Sequence, residues 1–173
     1  MAFDRTDFLN VLEESYSAYY DLSKENLPDN LPVAFKADFY KRDESFWLSK
    51  KMVTWSNETN EFVYCFSKDY FDKDTLDLCI QYALDDGLPR VKPHKEHQYT
   101  NIKCLFVADG FDDEAVSEIK HRKYEKKYNH MLWGYSALAL SGVNLRNENV
   151  YYNPAGRDMK VYFKKLFAAQ KKK

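Results

Sequence analysis

The sequence predicts an α/β protein of the α+β type: a mixed sheet with an antiparallel three-stranded meander and helices packed on it, in the order α-βββ-α-β-α-ββ-α. Three observations carry this. Three segments near the front alternate apolar and polar residues and are joined by short connections, as successive antiparallel strands are. One later run, Ile102 to Ala108, is almost wholly apolar, the pattern of a strand covered on both faces. Four further segments repeat their apolar residues at helical spacing, the first three behind acidic or hydroxyl caps.

In chain order, Thr6 to Tyr20 places Phe8, Val11, Leu12, Tyr16 and Tyr19 at helical spacing, with Asp4 or Thr6 available as the cap. Pro28 and Pro32 bracket a loop. Strands are expected at 33–40, 46–55 and 62–67, separated by polar turns at Lys41–Glu44 and Asn57–Asn60. Asp72 to Asp86 reads as a helix with an apolar stripe of Leu76, Cys79, Ile80 and Ala83, capped by Asp72 or Asp74. Gly87 suits a left-handed stop. After the interior strand, Asp112, Asp113 and Glu114 put negative charge on a helix start, where the dipole favours it, and that helix is expected to reach about Asn129. Strands at 132–140 and 149–152 follow, then a tight turn at Asn153–Gly156. A last helix sets Met159, Tyr162, Phe163, Leu166 and Phe167 on one side. There is no internal repeat and no linker, so 1–173 is expected to be one domain.

Composition narrows the function classes. The chain has 173 residues, 45% of them hydrophobic, which suffices for a core, and only five Gly and five Pro, which excludes collagen-like and linker-like chains. Net charge is −1, but it is unevenly spread: residues 1–118 hold 13 Lys and Arg against 24 Asp and Glu, and residues 119–173 hold 13 against 3. The basic back half suits a polyanionic partner, or it folds against the acidic front half. Cys65, Cys79 and Cys104 are widely spaced, lie in apolar runs and form no Cys-x-x-Cys pair. They read as buried reduced thiols, which fits a cytoplasmic protein. No apolar run approaches the ~20 residues of a membrane helix, so no membrane role is expected.

The opening α-βββ-α-β order, over roughly the first 110 residues, resembles the core of the restriction-endonuclease-like, or PD-(D/E)XK, superfamily. The resemblance implies an Asp on the second core strand and a Glu-x-Lys on the third, holding Mg²⁺ and activating water. Here the third strand reads Glu61-Phe62-Val63, without the Lys, and the second offers Lys50 and Lys51 but no Asp. A rebuilt catalytic site would have to use Asp38, Glu61 and Lys50. Strand parity opposes this, since Asp38 is expected to point to solvent and Glu61 toward the helices. The whole chain is also similar to an uncharacterised family of small prokaryotic proteins. The residues that carry this are Phe39-Tyr40-Lys41-Arg42-Asp43-Glu44-Ser45-Phe46-Trp47-Leu48-Ser49-Lys50-Lys51, then Asn60-Glu61-Phe62, then Pro93-His94-Lys95-Glu96-His97. That resemblance supplies no activity.

Two more groups carry candidate chemistry. His94, Glu96 and His97 are the densest set of metal-ligand types, needing a third ligand such as Asp109, Asp112 or His130, but the spacing is not that of a zincin. Lys120, Arg122, Lys123, Lys126 and Lys127 interleave with Tyr124 and Tyr128, a pattern that can grip phosphates while rings stack on bases, or that pairs locally with Glu118 and Glu125. Asp109 to Glu114 can bind a cation or cap a helix, and capping is the simpler reading. No phosphate loop, dinucleotide glycine pattern or nucleophile elbow occurs. The expectation is a non-enzymatic binding module with no cofactor and a protein or nucleic-acid partner, with self-association open. The competing class is a metal-dependent phosphodiesterase or nuclease.

Overall fold

The computed structural model describes residues 4–46 and 53–171. Helix α1 (Arg5–Ser17) starts where Asp4 accepts from the backbone N–H groups of Thr6 and Asp7, and it buries Phe8, Leu12 and Tyr16. The strands are β1 (Asp21–Ser23), β2 (Val33–Phe46), β3 (Val53–Phe71), β4 (His97–Phe111), β5 (Glu125–Lys127), β6 (Tyr135–Asn144) and β7 (Asn149–Tyr152). Three more helices are α2 (Lys73–Gly87), α3 (Asp113–His121) and α4 (Asp158–Gln170). The sheet runs β1-β2-β3-β4-β6-β5, and β7 also pairs with β6. The pairs β1/β2 and β2/β3 are antiparallel, β3/β4 and β4/β6 are parallel, and β5 and β7 lie antiparallel to β6. This is a mixed α+β sheet.

Both faces of the sheet are covered. Strand alternation sends Phe62, Tyr64 and Phe66 of β3 to one core, with Ile102, Cys104 and Phe106 of β4, under α2 and α3. Val63, Cys65, Leu105 and Val107 go to the other core, under α1 and α4. Burial on both sides is why 102–108 reads as an unbroken apolar run, and β4 is an interior strand as that run predicts. Lys103 is the one charged residue inside it. All three cysteines are buried and free. Burial raises each thiol above its ordinary range, Cys79 to about 12. No helix among the described residues is long and apolar enough to cross a membrane.

Several boundaries differ from the sequence reading. The expected meander of 33–40, 46–55 and 62–67 does not form, because 33–40 pairs directly with its partner stretch in the long β2/β3 hairpin; the consecutive antiparallel strands are β1, β2 and β3, and the polar stretches at 41–44 and 57–60 are paired strand rather than turns. Cross-strand pairing explains this: Arg42 lies opposite Glu58, and its guanidinium is 2.8 Å from that carboxylate. The strand expected at 46–55 falls partly on 47–52, outside the described residues. The helix expected to run to about Asn129 ends at His121. Ile119 is its last buried residue, Arg122 is extended, and the chain leaves to form β5. The next strand starts at Tyr135 rather than 132. Gly87 is right-handed, not a left-handed stop. A β-carbon there would come within 3.1 Å of both Ile102 Cδ1 and the Tyr64 hydroxyl, so close packing explains the glycine.

Candidate functional site

The residues singled out in the sequence fall into three places. Asp38 and Glu61 occupy opposite faces of the β2/β3 hairpin, because Asp38 lies opposite Phe62 while Glu61 lies opposite Phe39. Asp38 does not point to solvent. It takes a two-pronged contact from Arg90, at 2.7 and 3.3 Å, and the guanidinium stacks 3.9 Å from the Phe62 ring centroid. Arg90 also donates to the Tyr64 hydroxyl, which donates to Asp86, and Lys36 completes the network at 3.0 Å from Asp86. Burial disfavours charge on Arg90, but Asp38 and Tyr64 outweigh it and hold its pKa above the ordinary range. This network fastens α2 to the sheet. Lys50 lies outside the described residues.

His94 and His97 point to different partners. His94 Nε2 is 2.6 Å from Glu58, and Glu96 pairs with Arg42 at 2.9 Å. His97 is buried, with Nδ1 2.7 Å from the Trp133 carbonyl and Nε2 2.9 Å from the Thr100 hydroxyl. Nδ1 thus holds the loop before β6, and Nε2 is occupied by Thr100 on the same strand. Among the described residues no three His, Cys, Asp or Glu groups are placed to hold a metal. Asp109 pairs with Arg5, Asp112 caps α3 through the Ala115 N–H, and His130 sits in an exposed loop. Capping therefore accounts for Asp112.

The basic segment divides by direction. Arg122 turns inward to Asp77, at 3.0 Å, and to Glu118. Lys120 lies over the Tyr151 ring and Lys126 over the Tyr128 ring, while Lys127 approaches Glu125 at 3.6 Å. Lys123, Lys126 and Lys127 are exposed on or beside β5, which terminates the sheet order. Next to them the loop 128–134 holds three consecutive left-handed residues, Asn129, His130 and Met131, at φ 45°, 52° and 73°. Each such non-glycine conformation costs about 1–3 kcal/mol. The loop is pinned at its base. The Tyr128 N–H donates to Gly134, the Trp133 N–H donates to Tyr128, and His97 holds the Trp133 carbonyl. Gly134 is itself left-handed, and a β-carbon there would lie 2.2 Å from the Gln98 carbonyl oxygen. The result is a fixed, strained loop that displays Met131, Leu132 and Trp133 to solvent, with Leu132 72% exposed.

A third cluster was not legible in the sequence. Lys103 projects from β4 under α1 and α4, with its side chain only 5% exposed. Its ammonium lies 3.0 Å from Glu61 and 2.8 Å from Asp158, and the Tyr20 hydroxyl donates to Glu61. Burial works against the charged lysine, but the two carboxylates outweigh it and hold its pKa above the ordinary range. Lys103 is thus a fixed cation rather than a neutral amine ready to react. Lys103 and Asp158 form the floor of a cavity of about 290 Å³ walled by tyrosines. The available signal was the single charge inside an otherwise apolar interior strand. A lysine on such a strand needs paired carboxylates, although the sequence does not say which.

The family model of a domain of unknown function, DUF8052, matches residues 4–165, and the chain belongs to that family. No curated protein and no solved structure matches the chain.

Proposed function

We propose that this member of the DUF8052 family is a non-enzymatic, cytoplasmic binding module that holds an acidic, partly apolar protein segment along β5 and the 128–134 loop. The observation that carries this reading is the loop itself. Three successive strained residues hold Met131, Leu132 and Trp133 in water beside an open strand edge and three exposed lysines. Strain that exposes apolar side chains opposes folding, and a bound partner that covers them offsets it. The free edge of β5 supplies backbone donors and acceptors for an added strand, and Lys123, Lys126 and Lys127 select acidic side chains on it. Three free buried thiols support the cytoplasmic placement.

The geometry weighs against the phosphodiesterase reading on two counts. Asp38 and Glu61 lie on opposite faces of the hairpin, so one cation cannot bridge them. Glu61 does meet a second carboxylate, Asp158, but the Lys103 ammonium sits between the two and takes both. A protein segment is favoured over nucleic acid because the centre of the patch is aliphatic as well as aromatic and the strand edge is open.

The test is a titration monitored by amide and indole NMR shifts. The probes are a short peptide alternating Glu with Val and Leu, its Lys-for-Glu counterpart, and single-stranded DNA. The acidic peptide is expected to move resonances of 123–134, with affinity that falls as salt rises, and Leu132→Ser is expected to weaken it. DNA that binds the same resonances more tightly would replace the protein partner with nucleic acid. Cleavage of DNA in Mg²⁺ or Mn²⁺ that Glu61→Gln abolishes without loss of stability would overturn the non-enzymatic reading.

A further inference from the structure

The tyrosine-walled cavity under α1 and α4 is independent of the β5 rim. Its floor holds Lys103 and Asp158, with Glu61 bound beneath to Lys103 and Tyr20. Its walls are Tyr16, Tyr19, Tyr20 and Tyr162. Tyr16 meets Tyr20 edge-on, with ring centroids 4.8 Å apart, and meets Tyr162 edge-on at 6.2 Å. Tyr16 is buried against Phe35 and Tyr20 packs on Phe39, so these two rings are held in place by the core while they line the cavity. Tyr19 is 81% exposed and stands at the mouth. An exposed ring over an unfilled cavity contributes little to the core.

Charge selects what such a space accepts. Burial raises the pKa of Tyr16, Tyr20 and Tyr162, so these walls are neutral at physiological pH. The charged groups that line the cavity are Lys103 and Asp158, and Glu61 beneath them, outside the lining, takes the Lys103 ammonium from the other side, so that Lys103 is shared between two carboxylates and Asp158 is only partly neutralised. An incoming anion would face Asp158 and would have to displace it from Lys103. An incoming cation meets the tyrosine rings that line the cavity and the exposed Asp158. Arg157, Lys160 and Lys164 flank Asp158 on the outer side of α4. Arg157 and Lys164 are exposed, where salt screens them, and Lys160 is drawn over the Tyr152 ring, away from the cavity lining. The cavity is at the small end of ligand sites, which run from about 300 Å³.

We infer that this cavity binds a small organic ammonium ion, methylated or quaternary, caged by the four tyrosines over the Lys103–Asp158 floor. The rings supply the attraction that water cannot give to a methylated ammonium, and Asp158 supplies the counter-charge. Lys103 acts as a positioning residue that fixes both carboxylates.

Isothermal calorimetry on the full chain tests this with choline, tetramethylammonium and 3,3-dimethylbutan-1-ol, the neutral isostere of choline. Choline is expected to bind at least about tenfold more tightly than the isostere. Tyr19→Ala is expected to weaken choline about tenfold while leaving the thermal midpoint unchanged, since the ring is mostly exposed. Asp158→Asn is expected to weaken it several-fold, and a matching ¹H–¹⁵N spectrum for each variant establishes that it is folded. A peptide carrying trimethyllysine serves as the arm for a protein-borne ammonium. If it binds more tightly than choline, the free-ion assignment fails. Equal binding of choline and its isostere, an intact response in Tyr19→Ala, or preference for benzoate would overturn the inference.

Discussion

Lys103 and Lys126 are the same side chain under two regimes. Lys103 stands on the interior strand, nearly sealed from water, and two carboxylates fix its ammonium. Lys126 stands on the terminal strand, exposed, with its ammonium over the Tyr128 ring, 5.5 Å from the centroid. Taking a charge out of water costs several kcal/mol, so a buried lysine persists only if its partners are placed by the fold. An exposed lysine needs no partner, and salt screens what it has. Lys103 therefore belongs to the architecture, whereas Lys126 is free to serve an interaction. The contrast extends to the surroundings: rigid helices frame the first, and a strained loop frames the second.

The largest effect should come from breaking the buried side of this comparison. Lys103→Ala leaves Glu61 against the sheet with Tyr20 as its remaining partner, and urea unfolding should show a loss of about 3 kcal/mol. Asp158 is more than half exposed and can turn to water, which keeps the loss at the lower end of the range for buried pairs. The double variant Lys103→Met with Glu61→Gln should recover much of the loss, because no charge is then left uncompensated. A loss below about 0.5 kcal/mol for Lys103→Ala, the size of an ordinary surface change, would mean that the two lysines do not differ as argued.

Gly134→Ala is expected to cost about 2 kcal/mol, by steric clash as well as by its left-handed backbone. The new β-carbon would meet the Gln98 and His97 carbonyl oxygens at 2.2 and 2.6 Å. The same change should release the Trp133 carbonyl from His97 and alter the indole environment, which fluorescence can follow. If the midpoint shifts but the peptide response at 123–134 is intact, the loop's geometry does not matter for its partner.

Much of the frame could be read from the chain, and the reasons are local. Asp4, Asp72 and Asp112 sit before amphipathic runs and cap α1, α2 and α3, as their side chains' reach to the backbone dictates. The interior strand was legible because burial on both faces leaves no alternation. Register was not legible, and with it went the site. Asp38 and Glu61 are separated by a hairpin whose pairing alone puts them on opposite faces. Asp158 is 55 residues from Lys103, and only the packing of α4 brings them together. The 128–134 loop was hidden for a different reason: its Leu132-Trp133 reads as the start of a strand, and nothing in that pattern reveals three left-handed residues ahead of it.

A smaller effect separates the two regimes by pH. The folded-state pKa of Lys103 is raised, so its contribution is fully present below the unfolded value, about 10.4, and is lost as pH rises through the folded value. Tyr20 and Tyr64 act in the same direction, since burial and their hydrogen bonds to Glu61 and Asp86 favour the protonated phenols. Stability should therefore fall above about pH 10. Lys103→Met should show a shallower alkaline decline than the wild type, measured by thermal unfolding across that range. Identical slopes would mean that the carboxylates do not hold the ammonium in solution.

The smallest expected change in stability tests the other lysine's side. Leu132 is mostly exposed and buries little apolar area, so Leu132→Ser should alter the unfolding free energy by no more than about 0.5 kcal/mol. Lys126→Ala should fall in the same band, because its contact with Tyr128 is exposed. Both should nonetheless weaken the acidic peptide, Leu132→Ser at every salt concentration and Lys126→Ala mainly at low salt. That split follows from physics: apolar burial is insensitive to moderate salt, whereas an exposed charge is screened within a Debye length of about 10 Å at 0.1 M. Met131→Gly adds a third arm. It relieves a left-handed strain of about 1 kcal/mol or more but loosens the unfolded and the bound chain alike, so net stability should stay nearly level while peptide affinity falls. If all three variants bind the peptide as the wild type does, the exposed loop serves no partner of this chemistry, and the lysines of β5 are only a solvated edge.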